Sequence, residues 1–372
     1  MPDRTVREKV LARAKRIVVK VGTNAICDDA GRLDRAQVRN LARQVAELMA
    51  SGRAVTLVAS GAIGAGMGEL DMTARPRTMP ELQAVAAVGQ GELMRAFHDA
   101  FARRGVRVAQ VLLTREDFEH RARYLNIRNT LHALGGLGAL AIINENDAVA
   151  VDEIRFGDND IIAAHVANLV AADACVFLTT VDGVLDGGKV LDVVENADAE
   201  ARSLVTAQRS RLGSGGMGSK MAAAGMVTGA GEVAVIANAR APRVLPRLLA
   251  GERIGTLFVP AGRRLSSRRR WIGQASRPAG RLLVDAGAAA ALTQRGKSLL
   301  ASGVLAVEGR FARGATVSIL EAGGREIARG LTNYASDQLE RIKGLRSDRI
   351  AQVLGDKPYD EVVHRNNMTI RK

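Results

Sequence analysis

Short apolar runs rich in β-branched residues recur through the first two thirds of the chain, most of them closed by glycine or a polar residue and separated by helix-length stretches. The first is RIVVKVG (16–22), followed by AVTLVASG (54–61), VRVAQVLLT (106–114), ALAIINEN (139–146), ACVFLTTVDG (174–183), VAVIAN (233–238) and TLFVP (256–260). Runs of this length without alternation are the signature of strands buried on both faces. The stretches between them have helical spacing. Asp34 is placed to cap a helix in which Val38, Leu41, Val45 and Leu48 share one face, and Pro80 opens another that ends before Gly105. Strands alternating with helices predict βαβ units. The expected fold class is therefore α/β, a three-layer αβα sandwich on a mainly parallel sheet. In such sheets ligands bind beyond the carboxyl ends of the strands.

After Pro260 the pattern changes. GRLLVD (280–285), GVLAVEG (303–309), ATVSILEAGG (315–324) and EIARGLTNY (326–334) are short and split by glycine, with one helical stretch from Ala286. They predict a small β-rich barrel. The organisation expected is a larger domain over 1–262, an arginine-rich linker over 263–279, a small domain over 280–360 and a tail over 361–372. Seven arginines and no carboxylate lie between Ala261 and Val284, within a chain of formal net charge +14. That balance suits anionic partners, among them metabolites and RNA.

Several classes are set aside. No apolar run approaches the ~18 residues of a membrane span, and the charged start MPDRTVREKVLARAKR lacks the apolar core of a signal peptide. The expectation is a cytoplasmic protein without membrane association. Two cysteines, Cys27 and Cys175, fit a reducing compartment, and the five histidines never pair at zinc-ligand spacing.

Four segments at predicted strand ends carry chemistry. Lys20 sits inside an apolar run, a costly place for an ammonium unless it meets an anion. Ser60 and Gly61 open a glycine-rich turn whose amides can approach an anion. Asn144, Glu145, Asn146 and Asp147 follow one strand, and Asp158, Asn159 and Asp160 open a helix, so that carboxylates and amides gather where they can bind an ammonium or orient lysines. Finally GSGGMGSKM (213–221) offers glycine amides to a polyphosphate ahead of a helix expected from Ser219, which places Lys220 in the first turn, where a cation opposes the helix dipole.

The order VKVGTN, ASGAIGAG, INENDAV with FGDND, LTTVDG and GSGGMGSK is similar to the amino-acid kinase superfamily, and to the glutamate 5-kinase family within it. The segment from Gly280 resembles a PUA domain, a small barrel also found in RNA-modifying enzymes. The resemblance spans nearly the whole chain. It implies ATP-dependent phosphorylation of the γ-carboxylate of L-glutamate, with Mg²⁺ on the nucleotide and no direct protein ligand to the metal assigned. It also implies proline as feedback inhibitor, a homo-oligomer (dimer or tetramer) and glutamyl-phosphate reductase as a candidate partner. Carried over by position, Lys20 and Lys220 neutralise the phosphates and the transferred group, with Asp158 and Asp160 holding the lysines. Ser60, Gly61, Asn144, Asp147 and Asn159 bind glutamate. Thr179, Thr180, Ser214, Gly215, Gly216, Met217, Gly218, Ser219 and Lys220, together with Lys20, bind the nucleotide. The chain departs from the pattern at Thr180, where the family commonly has Asp, and Asp182 two residues on offers a replacement. Two other readings stand beside this one. One is an RNA-binding protein built on the PUA-like domain and the basic linker, and the other is a superfamily kinase acting on a different carboxylate, carbamate or nucleotide.

Overall fold

The strand Arg16–Val21 (β1) lies at the centre of the larger sheet because its residues from Ile17 onward are all buried. The computed structural model describes residues 6–28, 31–150, 158–195, 216–260 and 264–371, with Asp158 described by its backbone alone. The chain divides into two units, Met1–Asp117 with Ala122–Arg264, and Phe118–Arg121 with Leu265–Lys372.

In the first unit β1 is joined by β2 (Ala54–Ala59), β3 (Arg107–Leu113), β4 (Ala139–Glu145), β5 (Ala174–Thr179), β8 (Val193–Val194), β9 (Val233–Asn238) and β10 (Thr256–Phe258), with a hairpin of β6 (Leu185–Asp186) and β7 (Lys189–Val190) outside the sheet. The order is β3-β4-β2-β1-β5-β9-β10-β8, and every pairing is parallel except β9 with β10. The helices are α1 (Val6–Leu11), α2 (Thr23–Ile26), α3 (Arg35–Ala50), α4 (Ala62–Glu69), α5 (Met79–Ala102), α6 (Arg115–Glu119), which runs across the division between the units, α7 (Arg121–Gly136), α8 (Asp158–Val170), α9 (Gly216–Gly229) and α10 (Val244–Leu249). Asp34 caps α3, its carboxylate accepting from the amides of Ala36 and Gln37. The interior is aliphatic, built on Val, Leu, Ile and Ala from β1, β2, β5, α3 and α5.

The glycines after β2 do more packing than the sequence implied. A Cβ on Gly66 would lie 2.0 Å from the carbonyl oxygen of Val85, and one on Gly89 would lie 1.9 Å from that of Ala62. These residues therefore bring α4 and α5 to backbone contact, which only glycine permits. Arg7 of α1 is buried, and its guanidinium donates to the Asp192 carboxylate at 2.6 Å and to the carbonyls of Ile254 and Gly255 at 2.8 and 2.6 Å. A charged N-terminal segment thus becomes a clamp, since a guanidinium satisfied on every side can be buried.

The second unit holds a five-stranded sheet over its own core. Its strands are β11 (Gly280–Val284), β13 (Val304–Glu308), β14 (Thr316–Leu320), β15 (Glu326–Leu331) and β17 (Met368–Ile370), while β12 (Leu299–Leu300) pairs with β16 (Glu361–Val363). The segment read as a tail therefore supplies two strands. With three residues each, they are too short to show a strand period in the sequence. The segment read as a linker also groups largely with this unit. Ser267–Ala275 is helical, Trp271 and Ile272 are buried, and the Trp271 indole donates to the Phe118 carbonyl at 3.1 Å.

Candidate functional site

The carboxyl ends of β4, β2, β1, β5 and β9 stand side by side in that order. They carry Asn144, Ser60 (just past β2), Lys20, Thr179 and Asn238 respectively. Lys20 is central. Asn144 and Ser60 on one side belong to the expected acceptor set, and Thr179 on the other to the expected nucleotide set.

Around Lys20 three charged groups converge. The Lys20 ammonium lies 2.7 Å from Asp160 Oδ1, and that of Lys220 lies 3.1 Å from Asp160 Oδ2. Asp160 is fully buried, Lys20 is 4% exposed and Lys220 9%. Asp160 reaches this position because it lies in the first turn of α8, which packs against β1, β2, β4 and β5. The Ser219 hydroxyl adds a hydrogen bond to Asp160 Oδ2 at 3.0 Å. Among the described side chains two ammonium groups share one buried carboxylate, a formal excess of positive charge that favours an anion. Burial pulls the Lys20 ammonium below the usual lysine value, only partly offset by Asp160. Burial alone would raise the Asp160 carboxyl, but the two lysines outweigh it and hold the group below the usual carboxylate range.

Lys220 differs from its expected setting. The chain is already helical at Gly216, ahead of the expected Ser219, and Lys220 lies four residues further along α9. Its ammonium folds back to donate to the Gly216 carbonyl at 3.0 Å. The cation thus still stands at the positive end of the helix, and Asp160 offsets that cost. Among the described residues a Cβ on Gly216 or Gly218 would meet no atom within 4 Å, in contrast to Gly66 and Gly89. Met217 is half-buried, and Ser214 and Gly215 lie outside the described residues.

On the acceptor side, Ser60 is 8% exposed, and its amide donates to the Val21 carbonyl at 3.2 Å. Gly61 caps α4 with φ of 103°, a left-handed conformation that a side chain would strain. Asn144 is buried, its amide donating to Gln90 Oε1 at 2.8 Å and its own carbonyl accepting from the Glu145 amide. Asp147 is half-buried in the turn after β4. The Asn159 Oδ1 is buried with no hydrogen-bond partner among the described residues, a state that costs about 1–3 kcal/mol until a donor arrives. Of Asp158 only the backbone is placed, at the start of α8. On the nucleotide side Thr179 is half-buried and Thr180 exposed at the end of β5.

Three contributors were not singled out from the sequence. Gln90 orients Asn144 from a helix 54 positions earlier, and nothing local marks it. Gly22 lies beside the Lys20 ammonium, which a Cβ there would meet at an ordinary contact distance of 3.5 Å. Asn238 reaches Asp182, with Nδ2 donating to Oδ1 at 2.9 Å. Both cysteines are free and buried, and burial pushes the Cys27 thiol up to about 12 and that of Cys175 well above the usual value, away from the thiolate form.

Fold and site together define an α/β protein with two lysines paired about one buried carboxylate at the carboxyl ends of its strands. The sequence profile of the Amino acid kinase family matches residues 15–238, and that of the PUA domain matches residues 280–354. A glutamate 5-kinase of Caldanaerobacter subterraneus subsp. tengcongensis is 46% identical over 95% of this chain and 97% of its own. Those of Moorella thermoacetica and a Geobacter species are 45% and 43% identical, over 97% and 98% of this chain and 97% and 100% of their own. Among solved structures, a carbamate kinase from Giardia lamblia bound to AMP-PNP superposes with a TM-score of 0.49 at 18% identity, covering 67% of this chain and 99% of its own. The chain belongs to the amino acid kinase family, in its glutamate 5-kinase group with a C-terminal PUA domain.

Proposed function

We propose that this chain transfers the terminal phosphoryl group of ATP to the γ-carboxylate of L-glutamate, giving L-glutamyl 5-phosphate and ADP, the first step of proline biosynthesis. The observation that carries the reading is the Asp160 carboxylate buried between the Lys20 and Lys220 ammonium groups at the strand ends. The near-full-length relatives named glutamate 5-kinase support glutamate as the acceptor.

A side-chain carboxylate of glutamate is ionised well below neutral pH, so the attacking oxygen needs no general base. The barrier lies in bringing two anions together and spreading charge over the phosphoryl group in flight. Lys20 stands between the acceptor and nucleotide halves and neutralises the incoming carboxylate and the transferred group. Lys220, with the N-terminal amides of α9, takes the charge that accumulates as the bond to ADP breaks. Asp160 is a positioning residue that fixes both ammonium groups, and Asp158 is assigned to the same support. Ser60, Gly61, Asn144, Asp147 and Asn159 hold glutamate, with Asp147 meeting its α-ammonium and Asn159 Oδ1 gaining a donor. Thr179, Thr180 and residues 214–220 hold the nucleotide. Mg²⁺ is assigned to the ATP oxygens, as Mg·ATP, with no direct protein ligand named. A homo-oligomer, proline acting at the glutamate site, delivery of the labile acyl phosphate to a reductase and a cytoplasmic location belong to the same proposal.

ATP turnover with L-glutamate, L-aspartate, carbamate and UMP, with acyl phosphates trapped as hydroxamates, tests it. Glutamate is expected to dominate. Steep salt-dependent RNA affinity without ATP turnover would replace the reading with the nucleic-acid one. Lys220→Ala is expected to lower kcat by about 10²–10³ with little change in the KM for glutamate, and a variant with near-normal kcat removes the lysine from the mechanism.

A further inference from the structure

Gln90 and Asn144 meet across 54 positions of chain at the acceptor end of the sheet. Side chains alternate along a strand, so Asn144 shares a face with Ile142, whose core cluster takes in residues of α5. That face turns Asn144 toward Gln90, which is half-buried on α5. The preceding residue pins this part of α5 to α4, because a Cβ on Gly89 would lie 1.9 Å from the Ala62 carbonyl oxygen. Gln90 therefore stands on the frame in which Gly61 caps α4 directly after Ser60.

Three hydrogen bonds run in one direction. The Glu145 backbone amide donates to Asn144 Oδ1 at 2.9 Å, Asn144 Nδ2 donates to Gln90 Oε1 at 2.8 Å, and Gln90 Nε2 donates to Gln110 Oε1 at 3.2 Å. The first donor is backbone and cannot turn over. A flipped Asn144 amide would set nitrogen against that N–H and oxygen against the Gln90 oxygen, so the network fixes which end of the amide is which. Asn144 is 2% exposed, and its Nδ2 carries a second N–H besides the one given to Gln90. Held from both ends, the amide presents that N–H as a fixed donor, and a fixed donor suits a carboxylate.

Glutamate has two carboxylates, and their places differ. Lys20, assigned to the γ-carboxylate, stands two strands from Asn144 in the order β4-β2-β1. Two strand spacings are about 10 Å, which an extended glutamate and a lysine side chain cover together. The α-carboxylate shares its carbon with the α-ammonium, and the ammonium is assigned to Asp147, three residues beyond Asn144. A donor beside Asp147 is thus placed for the α-carboxylate. We infer that Gln90 is a positioning residue for the acceptor, which fixes the Asn144 amide as the donor that reads the α-carboxylate of glutamate. The inference rests on the glutamate reading above and adds a residue of α5 together with the substrate group it serves.

The test uses the full-length chain, wild type against Gln90→Leu, Gln90→Met, Asn144→Ala and the double variant of Gln90→Leu with Asn144→Ala. Hydroxamate formation with Mg·ATP is measured on L-glutamate, on 4-aminobutyrate, which lacks only the α-carboxylate, and on glutarate, which lacks only the α-ammonium. Losing the bond that fixes the donor is expected to raise the KM for L-glutamate about tenfold in Gln90→Leu, with the effect in KM and not in kcat. The L-glutamate:4-aminobutyrate ratio of kcat/KM falls by the same factor, because the analogue never used the donor. The L-glutamate:glutarate ratio stays, since both acids carry the carboxylate. Gln90→Met, which keeps the length of the side chain and loses its amide, behaves the same way. In the Asn144→Ala background Gln90→Leu changes neither KM nor ratio further, because a residue that acts through another has nothing left to act on. An unchanged 4-aminobutyrate ratio in variants that melt like the wild type overturns the inference. So does an equal loss on all three acceptors, the mark of a general loosening of α5, or a full second loss in the double variant. A wild type inactive on L-glutamate removes the functional reading and this inference together, whereas normal wild-type turnover with unaffected Gln90 variants removes the inference alone.

Discussion

Asp160 shows how one residue can matter to both stability and turnover. Its side chain is fully buried between Lys20 and Lys220. Replacing it with Asn leaves two buried ammonium groups without their counter-charge, and breaking such an arrangement typically costs about 3–5 kcal/mol. Asp160→Asn is therefore expected to lower both the urea midpoint and kcat, and a variant as stable as wild type would show that the lysines have other support. The pH dependence follows from the shifts. The folded carboxyl lies below its unfolded value near 3.8, so its contribution is whole above that value and is lost as pH falls through the lower folded pKa. Lys20 is shifted down by burial, so in the window between its folded value and 10.5 the unfolded chain binds the extra proton. Stability from this group thus rises with pH across that window, while activity falls as the ammonium is lost. An alkaline limb of kcat with its midpoint below 10.5 is the expected profile, and a limb at or above 10.5 contradicts the assignment to Lys20.

At the scale of elements, the α4–α5 contact sets the position of Ser60 and Gly61, the residues proposed to hold glutamate. Gly61 caps α4 immediately after Ser60, and the same helix is held to α5 through Gly66 and Gly89. Gly89→Ala would place its Cβ 1.9 Å from the Ala62 carbonyl. Overpacking of this kind costs about 1–3 kcal/mol. The expected outcome is a lower melting temperature together with a raised KM for glutamate, because relief comes only by moving the helix that Ser60 and Gly61 begin. A shift in KM for ATP instead would place the strain on the other side of Lys20. Local signals announced α3 and α5 well, through Asp34 and Pro80. They misplaced the start of α9, because glycine and serine are poor predictors of where a helix begins when the ordering contact, Ser219 and Lys220 with Asp160, comes from residues about 60 positions away.

Each of the two units carries its own buried core among the described residues, the larger unit on both faces of the eight-stranded sheet and the PUA unit over its own sheet. Two cores permit two unfolding transitions. A nucleotide at about 100 times its Kd should stabilise the unit that binds it by about 2.7 kcal/mol. Calorimetry with and without ATP is expected to move the transition of the larger unit and leave the other in place. Equal movement of both would show that they unfold together.

The sequence by itself determined the α/β class, the parallel sheet and the presence of lysines and glycines at strand ends. Those features rest on local periodicity and on the cost of burying an ammonium, which neighbours in the chain reveal. Tertiary structure alone decided that one carboxylate serves both lysines, that Gln90 orients Asn144 and Asn238 holds Asp182, and that the last residues are strands rather than a tail. Each of these is a contact between residues far apart in the chain. Such contacts depend on strand order, which the sequence pattern restricts without specifying.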